Sequence, residues 1–406
     1  MEWAKAHIFQ FINTFSKKNT FILHSAFRIL HFEQQLDKLQ LIKQSGGDRM
    51  SGHEILIAVM AFFAVAGAAD RLLGNRFGLG KEFEEGILAM GSLALAMVGI
   101  VSLAPVLAAV LKPLVVPLYD LLGADPAMFA GTILACDMGG GSLAMEMTGD
   151  PQAAMLGGVL TGSMLGATIV FTIPVALGIL QEEDRGAMAK GILCGIVTIP
   201  LGVLAGGITA GFPLGFVLRN LIPIVLIAAL IALGLWRAEG AMVRGFAVFG
   251  KVVVAVITAG LAAAIVEALT GFPLIPGMEP ISLGFETVGA IAIVLSGAFP
   301  LVHVLTRLLR KPLMAVGKLL GINDAAAAGL IASLANSIAT FGLVKEMNPR
   351  GKVVNIAFAV SAAFVFGDHL GFTAGFAPEM LPAMIVGKLT GGVSAVLVAL
   401  WLTKER

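Results

Sequence analysis

Long stretches without a charged or histidine side chain dominate this chain. Four of them cover residues 86–111, 151–180, 191–218 and 325–344, and each has at least 20 residues. Because an α-helix rises about 1.5 Å per residue, about 20 apolar residues cross the hydrocarbon core of a bilayer. Shorter apolar stretches reach this length once one flanking charge is included. The pattern predicts eleven transmembrane helices, at residues 53–71, 86–110, 126–146, 153–181, 187–210, 214–236, 251–270, 285–308, 324–345, 352–375 and 379–402.

The composition agrees with a membrane protein and excludes an ordinary soluble enzyme. Of the 406 residues, 58% are hydrophobic and 13% are charged, and the mean hydropathy is +0.93. Soluble domains carry about 25% charged residues. We therefore predict an all-α, polytopic helical protein whose main partner is the lipid bilayer. The net charge of +1 gives no reason to expect a nucleic-acid partner, and Cys136 and Cys194 show no metal-ligand spacing, so no metal or cofactor is predicted.

The first 49 residues differ from the rest of the chain. They carry seven lysines and arginines with phenylalanines between them. Such a segment could lie on anionic lipid, but we favour a basic N-terminal extension that is not native, with Met50 as the start. In an eleven-span topology, the later lysines and arginines divide ten against nine between the two sides, so the positive-inside rule leaves the orientation open.

The two halves of the chain resemble each other at an offset of about 200 residues. When the two halves are aligned, matches occur in order: Gly74 aligns with Gly271, Pro105 with Pro300, Lys112-Pro113 with Lys311-Pro312, and Leu121-Leu122-Gly123 with Leu319-Leu320-Gly321. We predict a first transmembrane repeat at 50–212, a bridging helix at 213–240 and a second repeat at 241–406. Each repeat holds five predicted spans, and because five is odd we expect the repeats to be inverted. Inverted repeats are typical of secondary transporters, whose sites lie near the membrane midplane where the repeats meet.

One predicted span carries a carboxylate at its centre, Asp137, followed at once by Gly139, Gly140 and Gly141. A carboxylate at the centre of a membrane helix costs about 2.5–3.5 kcal/mol on insertion scales, so it needs a partner or a wet cavity. Each glycine weakens a helix by about 1 kcal/mol relative to alanine. We therefore expect a broken helix near the midplane, with Asp137, Gly139 and Gly140 in a site that attracts a cation.

The equivalent place in the second repeat is neutral but polar. At an offset of 199 residues, Asp137 aligns with Asn336, and Ser337 comes next in the chain. A binding site with a charged half from the first repeat and a neutral polar half from the second would suit a ligand with an ammonium and a hydroxyl group. The alternative for Asn336 is an interhelical hydrogen bond, which is common between membrane helices.

Three further ionisable side chains lie inside the last two predicted spans, apart from Lys352 and Glu379 at the first position of each span. Asp368 and His369 stand together inside an apolar stretch, which makes them candidates for substrate contact, proton relay or a pH gate. The alternative is a pair at the membrane interface. Lys388 lies inside the last span and is expected to extend toward the headgroups or to pair with Glu379.

Several strings in the chain resemble one protein family. FEEGILAMGSLALAMVGIVSLAPVL at 83–107, GADPAMFAGTILACDMGG at 123–140, IVFTIPVALGI at 169–179 and SAAFVFGDHLGF at 361–372 look very like the ethanolamine permeases of the bacterial ethanolamine-utilisation pathway. The resemblance covers residues from about Met50 to the C-terminus. It implies uptake of ethanolamine across the bacterial inner membrane to supply ethanolamine catabolism.

The residues and the resemblance together predict a transporter and not an enzyme. We expect a secondary carrier or facilitator in which Asp137 or Asp368 pairs with the ammonium of ethanolamine, Asn336 binds its hydroxyl and His369 sets a pH dependence. A proton or a sodium ion is a candidate coupling partner. Two alternatives stay open at this stage: a carrier of the same fold for another small amine or alcohol, and an intramembrane enzyme that uses Asp368 and His369 on lipid headgroups.

Overall fold

The computed structural model describes residues 51–404, and every regular element in this range is helical. The all-α prediction is therefore confirmed, while the basic segment at 1–49 lies outside the described residues. The helices are α1 (Gly52–Leu72), α2 (Leu79–Leu121), α3 (Ala127–Ile133), α4 (Gly140–Met147), α5 (Pro151–Ile179), α6 (Arg185–Ile196), α7 (Ile199–Thr209), α8 (Leu214–Thr270), α9 (Ile281–Leu319), α10 (Asp324–Ala335), α11 (Ser337–Leu343), α12 (Pro349–Ala362), α13 (Asp368–Phe376) and α14 (Leu381–Leu402).

Seven helices in the described range are long and apolar enough to cross a membrane. They are α1, α2, α5, α8, α9, the Glu182–Thr209 segment that contains α6 and α7, and the Pro378–Leu402 segment that contains α14. The 57 residues of α8 would extend about 85 Å as one straight helix, far more than the roughly 30 Å of a hydrocarbon core. Non-helical backbone at Ala238 (φ −146°, ψ 49°) divides α8 into two helices, which correspond to two predicted spans.

Two predicted spans, at 126–146 and 324–345, each fold as a helical hairpin instead of one continuous helix. Hairpin 1 consists of α3 and α4, and the Thr148 hydroxyl after it donates to Asp125 Oδ2 before it at 2.8 Å. Hairpin 2 consists of α10 and α11, and Asn323 Nδ2 before it donates to the Glu346 carbonyl after it at 2.8 Å. In each hairpin, the residues before the first helix and after the second therefore lie next to each other.

The turns after α2 and α9 have the same backbone geometry. Gly123 after α2 and Gly321 after α9 occupy the same left-handed conformation, with φ of 67° and 69°. Each is followed by the same closing hydrogen bond, from Ala124 to the Tyr119 carbonyl at 2.9 Å and from Ile322 to the Gly317 carbonyl at 3.1 Å. Glycine adopts this conformation without the steric cost of a Cβ atom, which explains the glycine in both turns.

The two halves of the chain pack closely on each other through α7 and α14. A Cβ atom on Gly202 would lie 2.7 Å from the Gly387 carbonyl oxygen, and one on Gly387 would lie 2.8 Å from the Gly202 oxygen. The Thr198 hydroxyl adds a hydrogen bond to the Gly391 carbonyl at 3.1 Å. Small residues that allow such close backbone approach are typical of helix packing in membranes.

Candidate functional site

Asp137 lies in the turn at the tip of hairpin 1. The chain leaves helical geometry after Ile133, forms one short 3₁₀ turn at Cys136–Met138 and resumes a helix at Gly140. Gly139 closes the turn with φ of 92°, and a Cβ atom there would lie 2.2 Å from the Ile100 side chain. A Cβ on Gly140 would lie 2.7 Å from the Ala135 oxygen. The predicted broken helix is present, and both glycines shape the turn that presents Asp137.

A second break places Asp368 and His369. Helix α12 ends at Ala362 and α13 begins at Asp368, and Phe364 between them has a left-handed φ of 63°. The backbone N–H groups of Phe364 and Phe366 donate to the carbonyls of Ser333 and Leu334, at 3.0 and 2.9 Å. The unwound segment is therefore bonded to the last turn of α10, beside the tip of hairpin 2.

Asp137, Asp368 and His369 line one cavity of about 190 Å³, which we call the carboxylate cavity. Its wall also includes Phe171 from α5 and Phe364 from the unwound segment, whose rings meet edge to face at 5.4 Å between centroids. Since a water molecule takes about 30 Å³ in the liquid, the space suits a ligand of only a few heavy atoms. Two carboxylates and two aromatic rings around such a space favour a small organic cation.

A fully buried lysine lies behind the cavity, and the prediction that Lys388 extends to the headgroups or pairs with Glu379 is wrong. Its side chain is 1% exposed, and its Nζ donates to the Ser163 carbonyl and lies 2.9 Å from His369 Nδ1. The other ring nitrogen of His369, Nε2, faces Asp137 Oδ1 at 3.7 Å. Lys388, His369 and Asp137 form a continuous polar chain through the interior.

Lys388 is the residue of this site that sequence reasoning missed. Its signal was present, because it is the one charged residue within 380–403 and has eight apolar or uncharged neighbours before it and fifteen after it. A lysine stem can extend over a long distance, so position in a span did not decide where its ammonium would lie.

Asn336 and Ser337 do not line the carboxylate cavity. Asn336 joins the two helices of hairpin 2, and its Oδ1 accepts a hydrogen bond from the Ile338 N–H at 2.8 Å. Ser337 is buried, and its hydroxyl oxygen has no hydrogen-bond partner in the structure. The structure thus unites three of the predicted side chains, Asp137, Asp368 and His369, and places the other two at the neighbouring hairpin tip.

One group of side chains within the described range has the spacing of a metal site. The ligand atoms of Cys136, Asp137 and His369 lie within 4.8 Å of one another. However, Lys388 Nζ already occupies one ring nitrogen of His369 and would place an ammonium next to any metal ion. The arrangement therefore favours an organic cation on the Asp137 side over a metal.

Comparison with known proteins decides the family. The family described as "Ethanolamine utilisation protein, EutH" matches residues 53–402. This chain belongs to the EutH family. Because seven helices can cross a membrane, it is a multi-pass bacterial membrane protein, as the resemblance implied.

Relatives of the EutH family match over nearly their whole length. The "Probable ethanolamine permease EutH" of Listeria monocytogenes is 59% identical over 88% of this chain and 95% of that protein. Proteins with the same name from Salmonella typhimurium and Escherichia coli are 51% and 50% identical, each over 88% of this chain and 97% of the relative. No solved structure matches the chain.

Proposed function

We propose that this protein transports ethanolamine into the cell as a secondary carrier or facilitator. The observation that carries the proposal is the carboxylate cavity, in which Asp137 and Asp368 face a space the size of a small organic cation. The names of the relatives support ethanolamine as that cation. Ethanolamine has four non-hydrogen atoms, a positive charge near neutral pH and one hydroxyl group, which matches this space in size and charge.

In the proposed complex, the ammonium group of ethanolamine lies between the two carboxylates and against an aromatic ring. Attraction of a cation to a ring face is worth about 0.5–2 kcal/mol, more when both are desolvated. Phe171 and Phe364 are the aromatic residues on the cavity wall. For the substrate hydroxyl, Ser92 offers a hydroxyl on the same wall, whereas Asn336 would need a change at the tip of hairpin 2 to reach it.

We propose that nine helical segments cross the membrane, in place of the eleven expected from the apolar pattern. Each repeat then has four crossing segments and one re-entrant hairpin, and the first half of α8 bridges the repeats. Five crossings precede the second repeat, so this arrangement inverts it. With eleven spans, the bridge makes six crossings before the second repeat, so the inversion expected from five spans per repeat would not follow. The twelve residues of α10 rise about 18 Å, so a hairpin tip lies near the midplane.

The nine-segment topology also assigns the orientation. In the described range, two basic residues, Lys112 and Arg219, belong to one side, apart from the buried Lys388. Sixteen belong to the other side: Arg71, Arg76, Lys81, Arg185, Lys190, Arg237, Arg244, Lys251, Arg307, Arg310, Lys311, Lys318, Lys345, Arg350, Lys352 and Lys404. By the positive-inside rule, the side with sixteen is cytoplasmic. Hairpin 1 then enters from outside and hairpin 2 from the cytoplasm.

Uptake of radiolabelled ethanolamine into liposomes that contain the purified protein tests the proposal. We expect Asp137→Asn and Asp368→Asn each to lower uptake at least tenfold, because each removes a carboxylate from the cation site. Asp120→Asn is the matched control, since Asp120 is exposed on α2 and does not line the cavity. Normal uptake by both site variants would contradict the assignment of the carboxylate cavity as the transport site.

A further inference from the structure

The hydrogen bonds around Lys388 define the charge of the site. Among the described residues, Lys388 is the one lysine or arginine that is buried. When Lys388 is charged, its ammonium group only donates hydrogen bonds, so His369 Nδ1, 2.9 Å away, accepts. In that state His369 is neutral and carries its proton on Nε2, the ring nitrogen on the Asp137 side.

The site then holds two carboxylates and one cation. Asp137 and Asp368 line the carboxylate cavity, and Lys388 reaches it only through His369. With both aspartates ionised, the enclosed groups carry a net charge of −1. Buried charges are costly unless they are balanced, so the site is completed by one further positive charge.

We propose that Lys388 is a specificity-determining residue, a resident cation that restricts the carrier to ligands with a single positive charge. This inference rests on the proposed function and extends it to the choice of substrate and coupling ion. One alkylammonium ion neutralises the net charge of −1 in the site. A diammonium ligand, or an ammonium together with a sodium ion, would leave an excess positive charge in a water-poor space. Lys388 thus takes the place that a co-transported metal cation would otherwise fill, and transport needs no sodium.

The experiment compares uptake of two labelled ligands by reconstituted protein: ethanolamine, and 1,3-diaminopropane, which is a dication at neutral pH. In the wild type we expect ethanolamine uptake that is equal within twofold in sodium and potassium salts, and at least tenfold preference for ethanolamine over the diamine. In Lys388→Gln the enclosed charge becomes −2, and we expect the preference to shift at least tenfold toward the diamine.

The double variant Lys388→Gln/Asp368→Asn restores the net charge of −1, and we expect it to regain selectivity for the single-charge ligand relative to Lys388→Gln. A merely structural role of Lys388 would not produce this reversal. Lys251→Gln is the control, because Lys251 is exposed on α8 and is expected to leave uptake and selectivity unchanged.

Each outcome separates this inference from the proposed function. If the wild type takes up no ethanolamine, the proposed function fails. If the wild type takes up ethanolamine but requires sodium, or accepts the diamine equally well, the role of Lys388 is refuted while the proposed function stands. These wild-type measurements hold even if a variant does not fold. An unchanged ligand preference in a folded Lys388→Gln protein would also refute the proposed role of Lys388.

Discussion

At the scale of single residues, the site combines groups that hydrocarbon alone would not accept. The two aspartates face the same cavity, and the histidine beside one of them connects to a lysine that is 1% exposed. Phe171 and Phe364 also line the cavity, and aromatic rings attract a cation without adding charge. In the proposed function, the carboxylates and the rings together select an organic cation.

Removal of one aromatic ring should weaken the binding of the substrate without abolishing transport. We expect Phe171→Leu to raise the apparent KM for ethanolamine about 2- to 30-fold, which corresponds to about 0.5–2 kcal/mol. The measurement is initial uptake rate against substrate concentration in liposomes. Phe62→Leu is the control, since Phe62 is 67% exposed on α1 and lies outside the cavity. An unchanged KM in Phe171→Leu would mean that this ring does not contact the ligand.

At the scale of elements, the turn of hairpin 1 determines where Asp137 lies. Behind this turn, α5 approaches with its glycines, and a Cβ atom on Gly166 would lie 1.9 Å from the Leu134 oxygen. Much of α5 is π-helical, at Met155–Gly166 and Thr168–Thr172. The Ser163 carbonyl that binds Lys388 comes from this π-helical region. Irregular helices thus supply both the turn and the backbone acceptor of the site.

Closure of that turn depends on Gly139. We expect Gly139→Ala to lower the apparent melting temperature in detergent and to reduce uptake. The left-handed φ of 92° costs a residue with a Cβ about 1–2 kcal/mol, and the Cβ would also contact Ile100 at 2.2 Å. Gly91→Ala in α2 is the control, because no atom lies within 4 Å of its Cβ position. A variant Gly139→Ala as stable as the control would show that the turn tolerates another conformation.

The hairpins make a prediction that separates nine crossing segments from eleven. We expect single cysteines at Leu121→Cys and Gly149→Cys to be labelled from the same side of the membrane by an impermeant maleimide. Both positions are exposed, and they flank hairpin 1, whose ends are joined through Asp125 and Thr148. If hairpin 1 crossed the membrane, the two cysteines would be labelled from opposite sides. The native cysteines are both buried and provide a low background.

At the scale of the whole molecule, the ends of several helices meet in one polar cavity of about 800 Å³. Its wall includes Glu183 after α5, Gly321 after α9, Asn348 after hairpin 2 and Lys404 after α14. The nine-segment topology places all four of these on the same side, whereas an eleven-span topology separates them. The basic residues concentrate on this side, which is the basis for the proposed cytoplasmic orientation.

The orientation can be measured directly in intact cells. We expect the impermeant maleimide to label Leu274→Cys, in the connection between α8 and α9, without permeabilisation. We expect Arg76→Cys, in the connection between α1 and α2, to be labelled only after the membrane is opened. Both positions are exposed. The reverse pattern would overturn the assignment of the sixteen basic residues to the cytoplasm.

The apolar pattern by itself determined that the chain is helical, that it lies in a membrane and that Asp137, Asp368 and His369 need a special environment. These conclusions follow from solvation, because a single segment satisfies its own backbone groups in hydrocarbon only as a helix, and because hydrocarbon admits carboxylates only with partners or water. The matched glycines at 123 and 321 likewise predicted two turns of the same left-handed geometry. The tertiary structure determined the two hairpins and the direction of the Lys388 side chain, which hydropathy does not encode. A broken apolar stretch of 20 residues looks the same whether the chain turns back or continues, so only the Asp125–Thr148 and Asn323–Glu346 hydrogen bonds showed two hairpins. The direction of Lys388 depends on acceptors 225 and 19 residues away in the sequence, and packing alone brings these together.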